Sequence, residues 1–164
     1  IADVDASAGT LIVSPPGLGK TTMLRDVARL LSVGGRRVCV IDERGEIAAS
    51  VRGIPTLDVG PRTDVYALCP KADAIMMAVR ACAPEVIVTD ELGAPGEAQA
   101  ALEAVRCGVK VVASAHGQSL LPARMLPEVA RVVRAGAFEL GVLLGPAPGI
   151  VAETMRYAEG GDGR

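Results

Sequence analysis

The stretch Ser14-Pro15-Pro16-Gly17-Leu18-Gly19-Lys20-Thr21 sets two glycines, a lysine and a hydroxyl at the spacing of a phosphate-binding loop. In such a loop the glycines let the backbone wrap phosphate oxygens, the lysine reaches them, and the hydroxyl reaches a Mg²⁺ ion. Pro15 and Pro16 carry no N–H, so an anion nest begins at Gly17 and runs through Thr22. The nucleotide-contacting stretch is therefore read as Pro16, Gly17, Leu18, Gly19, Lys20, Thr21 and Thr22. A helix starting at Lys20 would add the field of its N-terminus. Ser14 departs from the pattern, standing where its first glycine belongs.

Two acidic pairs and one histidine could complete that chemistry. Val86-Ile-Val-Thr-Asp90-Glu91 is an apolar run ending in two carboxylates, about 70 residues after Lys20. Its Asp90 could hold Mg²⁺ together with Thr21, and Glu91 could polarise an attacking water. Asp42-Glu43 ends a second apolar run, and either carboxylate could orient water or sit in the metal shell. His116, the chain's only histidine, follows a fourth apolar run and could hydrogen-bond a terminal phosphate if that run neighbours the loop.

These residues need elements that bring them together. Thr10–Ser14, Arg37–Asp42, Glu85–Asp90 and Val109–Ser114 read as buried strands. Lys20–Leu31, Lys71–Ala83, Pro95–Cys107 and Met125–Arg134 carry helical periodicity, three of them closed by glycine. Residues 43–70 are irregular, with a short strand expected near Thr56–Val59; connections of that length are usually functional. Phe138–Leu144 and Ile150–Arg156 read as an antiparallel hairpin. Strands alternating with helices imply β-α-β units, a mostly parallel sheet and a ligand site beyond its C-terminal edge. The P-loop, Asp42, Asp90 and His116 should then converge on one rim. Residues 1–158 are read as one domain and 159–164 as a flexible tail.

Composition narrows the classes. The chain has 164 residues, half of them hydrophobic but only 2% aromatic, so its core must be aliphatic. That suits a parallel sheet and excludes base-stacking modules. Net charge is −2 with scattered basic residues, which leaves no footprint for nucleic acid. The four cysteines form no C-x-x-C pair and read as reduced thiols. No apolar run approaches the roughly 20 residues of a membrane span. The expectation is a soluble protein of a reducing compartment.

The ordered set of these motifs resembles the stage III sporulation protein AA family, within the type II/type IV secretion ATPases. The resemblance rests on the P-loop, Asp42-Glu43-Arg44-Gly45-Glu46-Ile47, Asp58 to Asp64, Cys69-Pro-Lys71, Pro84 to Glu91 and Ala113 to Gly117. It implies an α/β, RecA-like P-loop domain that hydrolyses ATP with Mg²⁺. It also implies that Arg62 reaches phosphate, within or across subunits, and that His116 senses the terminal phosphate. Relatives form rings, usually hexameric, that power membrane-embedded secretion or channel complexes from the cytoplasmic face. The domain that precedes the motor in such ATPases is not expected within this sequence. Glu91 and Glu43 both stand as candidates for the water-orienting base. A small-molecule kinase and a non-hydrolysing nucleotide-binding scaffold are the rival readings; a GTPase is disfavoured because no N-K-x-D motif occurs.

Overall fold

A computed structural model describes residues 8–157. The expected tail at 159–164, and the outer limits of the expected domain, lie outside them. Seven strands form one sheet: β1 (Thr10–Ser14), β2 (Val38–Asp42), β3 (Thr63–Ala67), β4 (Val86–Glu91), β5 (Lys110–His116), β6 (Leu140–Leu144) and β7 (Val151–Arg156). Their order is β3-β2-β4-β5-β1-β6-β7, parallel throughout except for the antiparallel β6–β7 hairpin. The helices are α1 (Lys20–Val33), α2 (Lys71–Ala81), α3 (Pro95–Arg106) and α4 (Pro127–Arg134), with a short 3₁₀ turn at Pro122–Arg124.

Strand alternation sorts the core into two layers. Ile12, Val40, Val88 and Val112 face α1, which answers with Met23, Leu24, Val27 and Leu31. Burying each of those four side chains is worth roughly 1.5–3 kcal/mol. Leu11, Val13, Ile41, Ile87 and Ala113 face the other way and pack on the alanine-rich sides of α2 and α3 and on α4. Small residues there let the helices lie close to the sheet. Phe138 is the one aromatic ring wholly buried in that layer.

One element lies elsewhere than the sequence predicts. The short strand lies at Thr63–Ala67 and not near Thr56–Val59, where only an isolated bridge joins Val51 to Ile54 nearby. β3 is an edge strand of half-buried residues with an exposed Asp64, so it lacks the apolar signature of its neighbours. Helix α4 also begins later than Met125, at Pro127, because the preceding residues form the 3₁₀ turn. All four cysteines are free thiols, and only Cys39 is buried. No described helix is long and apolar enough to cross a membrane.

Candidate functional site

The parallel strands end together, and the chemistry sits on their last residues. Ser14 closes β1, Asp42 closes β2, Asp90 and Glu91 close β4, and His116 closes β5. β1 lies against β5 with Ser14 opposite His116, so the loop and the histidine are neighbours across one ladder.

The loop keeps glycine where the backbone demands it. Gly17 and Gly19 stand at φ +79° and +85°, left-handed conformations that side chains strain. Ser14 is the last residue of an extended strand and needs no such freedom. Its hydroxyl donates to the Pro15 carbonyl at 2.7 Å and accepts from Lys20 Nζ at 3.1 Å. Gly19 N-caps α1 without a side-chain hydrogen bond, leaving the first-turn amides for a ligand. The turn of the β6–β7 hairpin braces the loop, with the Gly149 N–H donating to the Leu18 carbonyl at 3.2 Å.

Lys20, His116 and Glu91 form a chain. Lys20 Nζ is 3.1 Å from His116 Nδ1, and His116 Nε2 is 3.3 Å from Glu91 Oε2. With Lys20 as an ammonium, Nδ1 must accept, which places the imidazole proton on Nε2 to donate to Glu91. Partial burial pushes the Lys20 amine below the ordinary lysine range, and the Glu91 charge opposes that shift. These side chains line a cleft of about 340 Å³ with Gly17, Thr21 and Asp90. Arg44 and Glu46 line it as well, two residues to which the sequence reading gave no role. A larger cavity of about 520 Å³ adjoins it, sharing Gly19 and Thr22, and runs between α1, Leu57 and Pro148.

The two acids of the second pair part company. Asp42 is wholly buried, and its carboxylate accepts from the Glu46, Ile47 and Ala48 N–H groups at 2.8–3.1 Å. That use is structural: it folds the 43–48 turn which carries Arg44 and Glu46. Glu43 turns toward α2, accepting the Lys71 N–H at 3.3 Å, and does not line the cleft. Burial pushes the Asp90 carboxyl above the ordinary aspartate value, with Lys71 pulling the other way. Lys71 Nζ lies 2.6 Å from Asp90 Oδ1 and donates to the Glu91 carbonyl. A lysine at the first residue of a helix is the sequence signal that could have drawn notice to it.

Arg62 is not brought to this rim. It precedes β3 at the opposite end of the sheet, where its N–H donates to Ser32 Oγ at 2.7 Å. Its neighbours there include Arg37, Val38 and Pro84. The Thr21 hydroxyl and the Asp90 carboxylate, both on the cleft wall with Glu46 and Glu91, are oxygen donors that a Mg²⁺ ion could use. Hard oxygen donors of this kind, completed by phosphate oxygens and water, fit Mg²⁺.

An uncapped glycine loop, a lysine and paired carboxylates at the ends of parallel strands define the class of P-loop nucleotide-binding folds. Solved structures agree on that fold. The Legionella pneumophila ATPase DotB superposes with a TM-score of 0.65 at 18% identity, over 93% of this chain and 46% of that one. The VirB11 ATPase of the Brucella suis type IV secretion system gives 0.64 at 16% identity, over 92% and 48%. Residues 1–161 match the family described as sporulation stage III, protein AA. The chain is 41% identical over 158 residues to stage III sporulation protein AA of Bacillus subtilis, covering 93% of this sequence and 52% of the relative. It therefore belongs to the stage III sporulation protein AA family, and it spans about half the length of that relative.

Proposed function

We propose that this domain hydrolyses ATP with Mg²⁺ as the motor part of a longer, ring-forming protein that energises a sporulation-associated secretion or channel complex at the membrane. The observation that carries the hydrolytic reading is the Lys20–His116–Glu91 chain, which joins the phosphate lysine to a carboxylate through one imidazole. Phosphates would lie on the Gly17–Thr22 amides and take Lys20 from the loop carbonyls it now meets at 3.3 Å. The nucleoside would occupy the adjoining cavity beside Thr22 and Pro148. Thr21 and Asp90 would hold Mg²⁺, which, when bound, neutralises charge on the phosphates.

Glu91 is the favoured water-orienting base, because it lines the cleft whereas Glu43 is turned to Lys71. Movement of Lys20 onto a terminal phosphate would free His116 Nδ1, so that the imidazole reports phosphate occupancy to Glu91. Arg62 stands where only a neighbouring subunit's site could use it, so its role depends on a ring. The Bacillus relative's name supports the sporulation setting, and the fold shared with the VirB11 ATPase of a type IV secretion system supports the secretion setting. Binding of a fluorescent ATP analogue and phosphate release by the full-length protein test the reading. K20A should weaken binding at least tenfold and abolish turnover; unchanged binding and turnover would remove the basis for the assignment.

A further inference from the structure

Lys71 has no task in that chemistry, yet its placement is costly. Its side chain is 4% exposed, and lysine is almost never buried unless paired. It is also the first residue of α2, where the helix dipole already concentrates positive potential. Two unfavourable effects coincide, and within α2 only the exposed Asp73 of the first turn answers the dipole; it makes no ion pair with the Lys71 ammonium. The compensation comes from three other segments. Asp90 Oδ1, at the end of β4, lies 2.6 Å from the ammonium and Glu97 Oε1, in α3, lies 3.8 Å away. Glu43 Oε2, just past β2, lies 3.9 Å away. A local rule broken with compensation from elsewhere in the fold marks a functional position.

The grip falls on a bulge. β4 and β5 run in register to the pair Thr89–Ala113, and the next pair is Glu91–Ser114, so Asp90 is the inserted residue. Consecutive strand residues ordinarily face opposite sides of a sheet; a bulge re-aims them. Here both Asp90 and Glu91 reach the wall of one cleft. Lys71 holds both residues of the bulge, Asp90 by its carboxylate and Glu91 by its carbonyl. Asp90 Oδ1 is wholly buried, and its contact with Lys71 is a close ion pair without good hydrogen-bond alignment. Among the described residues that oxygen has no hydrogen-bond partner, so the ammonium is what fixes it.

We propose that Lys71 is a positioning residue for the acidic end of β4: its ammonium locks the Asp90–Glu91 bulge, so that Glu91 meets His116 and Asp90 Oδ2 is left for the metal shell. The role rests on the nucleotide reading given above. Lys71 touches neither the P-loop nor the cavity beside it, so its effect must pass through Mg²⁺ and the two acids. Groups that orient metal ligands in this way cost 10–100-fold in metal affinity or activity when removed.

The test compares K71M and K71R with wild type in the full-length protein. Fluorescent ADP in EDTA should bind each within about twofold, because Lys71 does not line the phosphate cleft or the cavity beside it. With Mg²⁺, K71M should need about tenfold more metal for half-maximal turnover and lose about 10–100-fold in kcat, with KM for ATP nearly unchanged. K71R, which keeps the charge, should recover part of kcat. A folded K71M with wild-type metal response and kcat would overturn the proposal, as would equal loss of affinity with and without Mg²⁺. Should K71M fail to fold, K71R decides: an altered metal response with intact EDTA binding supports the role, and a wild-type response refutes it. If wild type does not hydrolyse ATP, the functional reading fails. The Mg²⁺-dependent gain in ADP affinity, compared between wild type and K71M, then still decides on Lys71.

Discussion

Replacing Asp42 by alanine gives the sharpest test of how the site is scaffolded. The carboxylate is fully buried and takes four contacts from three backbone N–H groups. Two of those donors, Ile47 and Ala48, lie in wholly buried residues, whereas Glu46 is exposed and can turn to water. Orphaning a buried donor costs about 1–3 kcal/mol, so two give about 4 kcal/mol. The cavity left by the carboxylate adds little, because it is small and can admit water. For a chain of this size 1 kcal/mol moves the midpoint by about 2–4 °C, so D42A should melt about 10 °C lower. D42N keeps the shape and one acceptor and should lose roughly half as much. Urea unfolding and differential scanning calorimetry of the three proteins measure this. A D42A protein within about 0.5 kcal/mol of wild type would mean that the 43–48 turn holds itself, and the structural role given to Asp42 would be wrong.

Other consequences can be checked together. G19A should weaken nucleotide binding more than tenfold by calorimetry, because a side chain at φ +85° is strained and its Cβ would meet the Gly149 nitrogen at 3.4 Å. H116A should lower kcat about 100-fold in a phosphate-release assay while moving stability by less than about 1 kcal/mol, since the imidazole is 41% exposed. Tyr157, whose hydroxyl donates to the Leu120 carbonyl, is pushed up to about 12 by burial and by the charge of Glu153. A phenol whose folded value is raised stabilises fully below its unfolded value near 10 and loses that contribution as pH rises toward 12. Y157F should therefore flatten the alkaline fall in denaturation midpoint between those limits.

How much of this was legible in the sequence depended on what each residue had to satisfy. Strands β1, β2, β4 and β5 announce themselves, because burial on both faces demands unbroken apolar runs such as Val38–Ile41 and Val86–Val88. The loop announces itself through Gly17, Gly19 and Lys20, whose roles need those residue types. β3 did not, because an edge strand with half-buried positions can carry Asp64 and Thr63 and look like a turn. Across-sheet relations were also hidden: the 42–43 pair offers two identical functional groups, and only tertiary placement spends Asp42 on backbone amides and turns Glu43 to Lys71. Lys71 reads in the sequence only as the start of a helix, because its partners Glu91 and Glu43 lie 20 and 28 residues away.

In the proposed reaction Glu91, held by His116 on the wall of the cleft, orients the water that attacks ATP. Turnover and nucleotide affinity of E91Q and E43Q, measured side by side in the full-length protein with Mg²⁺, test it most directly. E91Q should bind ATP as wild type does and turn it over at least about 100-fold more slowly. E43Q should keep most of its activity. Hydrolysis at the wild-type rate by E91Q, or loss confined to E43Q, would contradict it.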